Sequence, residues 1–463
     1  MRGPAIYIAL LLTVSFFWPA GARCSPSLPP PMAVGSTLVL SDIHFDPLAD
    51  PAIFQQLLTT PAAQWLSVFA HSRQTSLARS PSDTNYPLLK STLEAAAAQA
   101  PFDFVVVCGD YLRHNFDRAF VAAGGSPSQF PTFATKTALF VVETIQSAFQ
   151  VPVYLALGNE DSICGDYHMA PGGIFLGALA DSLLVLGRHS EASNCFRTAG
   201  FYELPHPTLA NQEILVLNSV LWSPFYSDCE SSNGDSGTLE MKWLGSKLDE
   251  AKNLGRKVVL VMHIPPGFDA YQNSRSSDCR SVTPFWRDIF IRQFLDLMQR
   301  DGDAVEVVLA GHTHMDDFRV LGSGAHGVAV RITPAVSPVF GNNPAFSLLQ
   351  YNLKSGAVSD IATYYLDLAS GGNDPRWALE YRFSDAYGYP ELTSASLGAL
   401  AERIRDDPKV RQRFAGYFAA SAPSPLTPAT WLFYSCAENH FSVTDYRDCA
   451  CAPQSAHLST ENR

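Results

Sequence analysis

The sequence predicts an α/β fold in which layers of sheet and helix alternate. Six segments rich in aliphatic and β-branched residues each end abruptly in polar residues. They are TLVLSDIH (37–44), FVVVCGD (104–110), VYLALGNED (153–161), ILVLNS (214–219), VVLVMHIPP (258–266) and VEVVLAGHTH (305–314). Continuous apolar runs are typical of strands buried on both faces. Amphipathic helical segments at 86–100, 241–255 and 285–300 alternate with these strands, which indicates a layered α/β fold.

The pattern changes beyond His314. Short apolar stretches separated by turns follow, namely FRVLG, GVAVRITPAV, FSLLQYNL and DIATYYLDL. They predict a second sheet that is rich in strands. The turn signal GGNDP then marks a break, and helical patterns follow it at 392–407 and 407–422. We therefore predict a main domain at residues 36–371 and a helical, cysteine-containing C-terminal region at 372–463.

The N-terminus has the features of a secretory signal peptide. Arg2 precedes an apolar run over residues 5–18, and the small residues at 20–22 suit a cleavage site. A helix that spans a membrane needs about 20 apolar residues, and this run is shorter. The alternative to a cleaved signal peptide is an uncleaved membrane anchor. We expect a signal peptide at 1–22, export to the cell exterior or a periplasm, and no stable membrane insertion.

The composition restricts the partners that we expect. A formal net charge of −12 disfavours binding to a nucleic-acid duplex or to anionic membranes. It is compatible with a small phosphate-bearing substrate, because bound metal ions can outweigh the local protein charge. The chain has nine cysteines, and in an exported protein we expect some of them to form disulfides. Cys108 lies within an apolar strand and is predicted to be a buried thiol.

Residue types that bind metals gather where the predicted strands end. They are Asp42, His44, Asp110, Asn159, His263, His312 and His314, with His114 four residues after Asp110. Ligands of open α/β sheets bind at the carboxyl ends of strands, so these side chains are expected to converge. Imidazole and carboxylate without thiolate favour zinc, manganese or iron over calcium or magnesium. Two such ions can hold the attacking and leaving oxygens of a phosphoryl displacement.

Each of these motifs has an ordinary structural explanation when it is taken alone. Asp-x-His is common, Gly-Asp after a strand is usually a turn, and GNED can be a turn followed by a helix cap. His263 could be a packed core histidine. The two histidines of GHTH (311–314) are a stronger signal. Their order and their repeated position at strand ends together predict one dinuclear metal site.

In this order the motifs resemble the signature of the calcineurin-like metallophosphoesterase superfamily: D-x-H, G-D, G-N-H-[DE], H and G-H-x-H. Further segments make the chain similar to the acid sphingomyelinase-like phosphodiesterase branch. These are GDYLRH (109–114), HIPPG (263–267), GHTHMDDF (311–318), TPAVSPVFGNNPAF (333–346) and WLFYSC (431–436). The resemblance implies a four-layer sandwich of two facing β-sheets flanked by helices, with a C-terminal helical extension packed against it.

The resemblance also implies a ligand set. One metal ion would be held by Asp42, His44, Asp110 and His314. The other would be held by Asp110, Asn159, His263 and His312, so that Asp110 bridges the two. In this branch the metal is expected to be zinc, with manganese or iron as alternatives. A hydroxide that bridges the metals would attack the phosphorus of a nucleotide-like or phospholipid-head-group diester, and we expect a monomer.

One position departs from the family pattern. Glu160 replaces the histidine that is thought to protonate the leaving group, whereas Asn159 and Asp161 match. A buried carboxylic acid can donate a proton, but two nearby cations would favour the carboxylate, and Glu160 could instead bind or shield a metal. His114 matches the branch's histidine after Gly-Asp and needs no unusual pKa. We predict that His114 carries the proton and that Glu160 retunes the activity.

The sequence therefore predicts a secreted, metal-dependent phosphodiesterase. The first strand begins at Thr37, soon after the signal segment, so we expect no saposin domain like that of acid sphingomyelinase. This favours small phosphodiesters, such as nucleotide-type ones, over sphingomyelin. A related polyphosphatase or phosphomonoesterase is one alternative, and a non-catalytic surface protein that keeps metals for structure is another. The filling of all seven ligand positions argues against the latter.

Overall fold

Strands and α-helices together build the protein. A computed structural model of the chain describes residues 33–229, 235–276, 281–370 and 376–451. The strands are β1 (Val34–Leu40), β2 (Phe104–Val107), β3 (Val153–Leu155), β4 (His168–Met169), β5 (Tyr202–Pro205), β6 (Gln212–Val216), β7 (Ser227–Asp228), β8 (Lys257–Val261), β9 (Val305–Ala310), β10 (Asp317–Leu321), β11 (Val328–Ile332), β12 (Ala345–Asn352), β13 (Val358–Leu366) and β14 (Trp377–Arg382). The predicted signal peptide lies outside the described residues.

In the described ranges, ten α-helices lie between strands up to β9, and five follow β14. They are α1 (Phe54–Thr59), α2 (Trp65–Phe69), α3 (Tyr86–Ala97), α4 (Phe116–Ala122), α5 (Phe130–Phe149), α6 (Ile174–Ser182), α7 (Ser190–Ala199), α8 (Ser236–Asn253), α9 (Ala270–Arg275), α10 (Asp288–Asp301), α11 (Phe383–Tyr387), α12 (Ser394–Asp406), α13 (Pro408–Phe418), α14 (Trp431–Ala437) and α15 (Val443–Ala450). Among the helices of the described ranges, none is both long enough and apolar enough to cross a bilayer.

Two six-stranded sheets form the centre of the fold. The first has the order β14-β13-β12-β1-β2-β3 and the second has the order β10-β11-β9-β8-β6-β5. Within them, β1, β2 and β3 are parallel, and so are β6, β8, β9 and β11. The sheets face each other, since the ring of Phe104 in β2 lies 4.8 Å from that of His206, which follows β5. The predicted α/β fold of two facing sheets flanked by helices is thus confirmed.

The strands beyond His314 do not form a sheet of their own. β10 and β11 extend the sheet that contains β9, whereas β12 pairs antiparallel with β1 and β13 pairs with β12. The apolar pattern of a strand shows which of its faces are buried but not which strand lies beside it. The prediction that these four strands form a second sheet was therefore wrong. β14 lies beyond the GGNDP break and still pairs with β13. The division between residues 371 and 372 stays a prediction.

Local signals fix the starts of α3 and α13. Asn85 caps α3 by accepting a hydrogen bond from the Leu88 N–H at 3.1 Å. Asp407 accepts from the Lys409 N–H at 2.8 Å, and Pro408 occupies the first position of α13. The predicted C-terminal helical extension is therefore present, and α12 packs on β10 and β11 of the second sheet.

Disulfides cross-link the chain over both long and short separations. Cys164 is bonded to Cys229, and Cys436 is bonded to Cys449, which links α14 to α15. Cys451 is also disulfide-bonded. Cys108 is a free, buried thiol, as its place in an apolar strand predicted. Several covalent cross-links in one chain are typical of proteins that fold in an oxidising compartment.

A buried carboxyl group in α8 makes stability depend on pH. Glu240 is fully buried, and it accepts a hydrogen bond from the Asn218 N–H, while its Oε2 has no partner among the described residues. Burial raises the pKa of Glu240 to about 8, from 4.5 in an exposed chain. Folding therefore favours the protonated form. The destabilisation that comes from burying this carboxyl group in its ionised form is absent below pH 4.5, grows as the pH rises to about 8, and is constant above that.

We expect Glu240→Gln to remove this dependence. Glutamine keeps an oxygen for the Asn218 N–H and never becomes charged. The gain in the free energy of unfolding that the variant shows should be near zero at pH 4 and about 4 kcal/mol at pH 8. Denaturant unfolding of both proteins across that range measures the gain. Glu94→Gln, at a side chain that is 68% exposed, is the control without a gain. Parallel stability curves for Glu240→Gln and the parent would contradict the prediction.

Candidate metal centre

The structure brings together the seven side chains that the sequence placed at strand ends. The parallel strands β1, β2 and β3 end next to this centre on one sheet, and β8 and β9 end there on the other. In the first half of the centre, His44 Nε2 lies 3.1 Å from His314 Nε2 and 3.4 Å from Asp110 Oδ2. His314 Nε2 lies 3.5 Å from Asp42 Oδ1. All four residues are buried.

The second half of the centre shares Asp110 with the first. His263 Nε2 lies 3.1 Å from Asp110 Oδ2 and 3.1 Å from Asn159 Oδ1. His312 Nδ1 lies 3.3 Å from His263 Nε2. One carboxylate oxygen, Asp110 Oδ2, is therefore close to an imidazole nitrogen of each half. This is the arrangement that a bridging ligand requires.

The backbone turns sharply where the strands end. Five of the seven residues have a left-handed conformation, which side chains other than glycine adopt rarely. They are Asp42 (φ 49°), His44 (φ 44°), Asp110 (φ 59°), His312 (φ 73°) and His314 (φ 63°). Conformations of this kind cluster at functional sites, because the surrounding structure has to hold them in place. Here they follow the ends of β1, β2 and β9, where the side chains converge.

Two motif glycines leave room for the carboxylates of the centre. A Cβ at Gly158 would lie 2.0 Å from Asp110 Oδ1, and one at Gly311 would lie 2.6 Å from Asp42 Oδ2. Both distances are far below van der Waals contact. The glycines of GNED and GHTH thus allow a close approach between backbone and carboxylate, which no larger residue permits.

Hydrogen bonds fix the tautomers of two histidines. His44 Nδ1 lies 2.9 Å from the Leu112 carbonyl oxygen, and His263 Nδ1 lies 2.7 Å from that of Cys108. A carbonyl oxygen only accepts, so each Nδ1 carries a proton. In the neutral rings, both Nε2 atoms then present lone pairs to the centre, where both lie close to Asp110 Oδ2. Lone pairs that converge in a buried space need a cation between them, so the donor set fits divalent metal ions.

The pKa shifts show the same demand for positive charge. Burial lowers the pKa of His44, but the carboxylates of Asp110 and Asp42 outweigh it and raise that pKa to about 10. Burial and the charge of His263 lower the pKa of His312 to about 3. The carboxylates thus favour a cation, yet neighbouring imidazoles cannot all be protonated at once. Metal ions can meet this demand where protons cannot.

Asp161 supports the loop that carries Asp110. Its carboxylate accepts hydrogen bonds from the backbone N–H groups of Asp110, Tyr111 and Gly158, at 2.7–2.8 Å. The side chain is buried and does not itself belong to the close groups of metal-binding atoms. The last residue of GNED therefore acts on the geometry of the centre through the backbone, a role that the motif did not reveal.

His114 lies beside the centre and is held by its own contacts with His44 and Asp83. Its ring stacks on that of His44 with 3.8 Å between centroids, and its Nδ1 lies 3.0 Å from Asp83 Oδ1. The other oxygen of Asp83 accepts from the His114 N–H at 3.0 Å. Asp83 also accepts from the Ser337 hydroxyl at 2.9 Å. Sequence reasoning missed Asp83 and Ser337, because no motif connects positions so far apart.

A cavity of about 530 Å³ opens over the centre. Asp110, Asn159, His312 and His314 reach it from the metal site, and His114 and Glu160 line it beside them. The rest of its wall includes Asp166, Tyr167, Asp269, Phe285 and Phe340. Phe340 is 59% exposed and packs edge-on against both His114 and His314. The cavity can therefore hold a small molecule, with aromatic and acidic groups next to the metal-binding residues.

Glu160 lies in this cavity rather than inside the cluster of metal-binding atoms. Its backbone N–H donates to Asp110 Oδ1 at 2.9 Å, and its side chain is largely buried. Burial, together with the charges of Asp166 and Asp110, raises the pKa of Glu160 to about 9. Bound cations would act in the opposite direction. The residue that replaces the family histidine thus lies beside the centre and lines the cavity together with His114.

Comparison with known proteins gives the family of the chain. Calcineurin-like phosphoesterases match residues 35–316, and the acid sphingomyelin phosphodiesterase C-terminal region matches residues 325–453. Acid sphingomyelinase-like phosphodiesterase 3b of Mus musculus is 27% identical over 392 residues, covering 79% of this chain and 80% of that protein. Cyclic GMP-AMP phosphodiesterase SMPDL3A of Homo sapiens is 25% identical over 453 residues, covering 93% and 92%.

A solved structure of a dimetal phosphatase from Danio rerio is also similar, at 13% identity and a TM-score of 0.44, covering 75% of this chain and 99% of that one. The first family match alone spans more than half of the chain and includes all seven residues of the centre. The protein therefore belongs to the calcineurin-like phosphoesterase family, a family of hydrolases, and carries the C-terminal region of the acid sphingomyelin phosphodiesterases.

Proposed function

We propose that the protein is a secreted phosphodiesterase that depends on two divalent metal ions. The observation that carries the proposal is the convergence of two half-sites on one oxygen, Asp110 Oδ2, with imidazole lone pairs on both sides. Several relatives are named as phosphodiesterases, which supports a diester as the substrate. The disulfides Cys164–Cys229 and Cys436–Cys449 and the signal-like residues 1–22 support secretion.

The two half-sites define the ligands that we assign. One ion would be held by Asp42, His44, Asp110 and His314. The other would be held by Asp110, Asn159, His263 and His312. Histidine and carboxylate ligands without cysteine suit zinc, and they are also compatible with manganese or iron. Among the described residues, the groups of metal-binding atoms contain no cysteine, and the buried Cys108 contacts His263 through its backbone carbonyl oxygen.

The residues of the chain would orient the substrate and donate a proton to its leaving group. Bound divalent cations supply a Lewis acid that offsets charge on the phosphoryl oxygens and lowers the pKa of a water. We assign to His114 the transfer of a proton to the leaving oxygen. Asp83 accepts from its Nδ1, so that Nε2 stays available. The stack on His44 holds the plane of this ring beside the centre.

The cavity favours small diesters. Its volume of about 530 Å³ can accept a head group or a nucleotide-sized group. The exposed ring of Phe340 offers a face for a planar or apolar group close to His114. Nucleotide-like and phospholipid-head-group diesters both have these features, and we propose them as the substrate class.

Hydrolysis of two chromogenic esters tests this function. Purified mature protein is assayed with bis(p-nitrophenyl) phosphate, a diester, and with p-nitrophenyl phosphate, a monoester. Each assay is run before and after chelation, and again after zinc or manganese is restored. We expect turnover of the diester to exceed that of the monoester, to be lost on chelation and to return with metal. A preference for the monoester would indicate a phosphomonoesterase, and no turnover at full metal occupancy would favour a non-catalytic protein.

A further inference from the structure

The amide of Asn159 faces the metal centre in one orientation. Its Oδ1 lies 3.1 Å from His263 Nε2, and its Nδ2 donates to Asp166 Oδ1 at 2.8 Å. An amide has one accepting end and one donating end, whereas a carboxylate only accepts. The contact with Asp166 therefore determines that the oxygen of Asn159, and not its NH2 group, points towards the centre.

The segment that carries Asp166 is tied down on both sides. The Tyr167 N–H donates to the Asn159 carbonyl oxygen at 2.9 Å, which closes residues 159–167 into a loop. The disulfide Cys164–Cys229 fastens this loop to a second segment. Immediately after it, β4 pairs with β7. The position of the Asp166 carboxylate is thus set by covalent and backbone links and not by the Asn159 side chain, so it can serve as a fixed support for that amide.

We propose that Asp166 is a positioning residue for the metal centre, which holds the Asn159 amide so that Oδ1 faces the cation. The inference rests on the proposed function, because it takes Asn159 as a metal ligand. Without an acceptor at position 166, the amide can rotate and turn its NH2 group towards the centre, where it repels a cation. Partners that orient a ligand in this way contribute about 10–100-fold to metal affinity.

Two substitutions separate the hydrogen bond from the negative charge. Asp166→Asn removes the charge but keeps an oxygen that can accept from Asn159 Nδ2, whereas Asp166→Ala removes both. The affinity of the full-length protein for each of two zinc equivalents is measured by competition with a chromogenic chelator. The d–d absorption of the cobalt-substituted protein reports the geometry at each ion.

For Asp166→Ala we expect one of the two zinc equivalents to bind about 10–100-fold more weakly, while the other is unchanged. The cobalt spectrum should change in the component that is lost first. Asp166→Asn should stay within about threefold of the parent in both equivalents. Thermal unfolding in the presence of chelator shows whether each variant is folded.

Two results would overturn the inference. In the first, Asp166→Ala binds both equivalents as tightly as the parent does. In the second, Asp166→Asn is as weak as Asp166→Ala, so that charge and not orientation is what matters. Failure of the proposed function looks different, because the parent protein itself would then bind no zinc or would cleave no diester. If the parent binds zinc and cleaves the diester, and the Asp166→Ala variant binds zinc with equal affinity, only the positioning role is rejected.

Discussion

Replacing Asp110 by asparagine should release metal from both half-sites and reduce turnover of bis(p-nitrophenyl) phosphate by about 10³-fold or more, since Lewis-acid stabilisation contributes several kcal/mol. Asp110 Oδ1 accepts from the Glu160 N–H, and this contact fixes the orientation of the carboxylate. In the variant, the amide oxygen has to take that place. The NH2 group then occupies the position of Oδ2, next to His44 and His263, where it cannot bind a cation.

Metal content after gel filtration, together with kcat/KM, checks this prediction. Asn159→Ala is the comparison, because Asn159 belongs to one half-site only and should release a single equivalent. Glu240→Gln is the control for converting a buried carboxyl group into an amide elsewhere in the fold, and it should keep both equivalents. If Asp110→Asn retained two equivalents and more than a tenth of the parent turnover, Asp110 would not be the bridging ligand.

The candidate ligands could be found from sequence because their signals are local. Each follows an apolar strand directly, and parallel strands end at the same edge of a sheet, so that Asp42 and Asp110 are expected to meet there. The supporting residues carry no such signal. Asp83 lies 31 positions before His114, and Asp166 resembles any acidic residue of a loop. Their importance depends on contacts that only the folded chain creates.

A similar limit applied to the sheets. The strands that lead into the centre were predicted because their apolar runs indicate burial on both faces, as for β2 and residues 258–261 of β8. The assignment of β12 failed because its partner, β1, lies about 300 residues earlier in the chain. The left-handed backbone at Asp42 and Asp110 also escaped prediction. Turn signals indicate that the chain bends, but not that a residue other than glycine takes the strained conformation.

His114→Ala should slow the hydrolysis of a diester with a poor leaving group by about 10²–10⁴-fold, the usual contribution of a general acid. An alkyl phosphodiester is a suitable substrate, because its alkoxide needs a proton in order to leave. Bis(p-nitrophenyl) phosphate should be affected much less, since p-nitrophenolate departs without one. The ratio of the two kcat values is therefore the measurement, and equal turnover of the alkyl diester by variant and parent would reject His114 as the acid.

Metal content distinguishes this role from a second possibility. A ring nitrogen of His114 lies within 4.8 Å of ligand atoms of both His44 and His314, so His114 could itself bind a cation. In that case, His114→Ala would lose metal and slow both esters alike, whereas a general acid leaves the metal content unchanged. Glu160→Gln completes the comparison. If His114 carries the proton, this variant should change the turnover of the alkyl diester by less than about tenfold, below the range of a general acid. A loss of about 10² or more with Glu160→Gln, and none with His114→Ala, would instead assign the proton to the glutamate that replaces the family histidine.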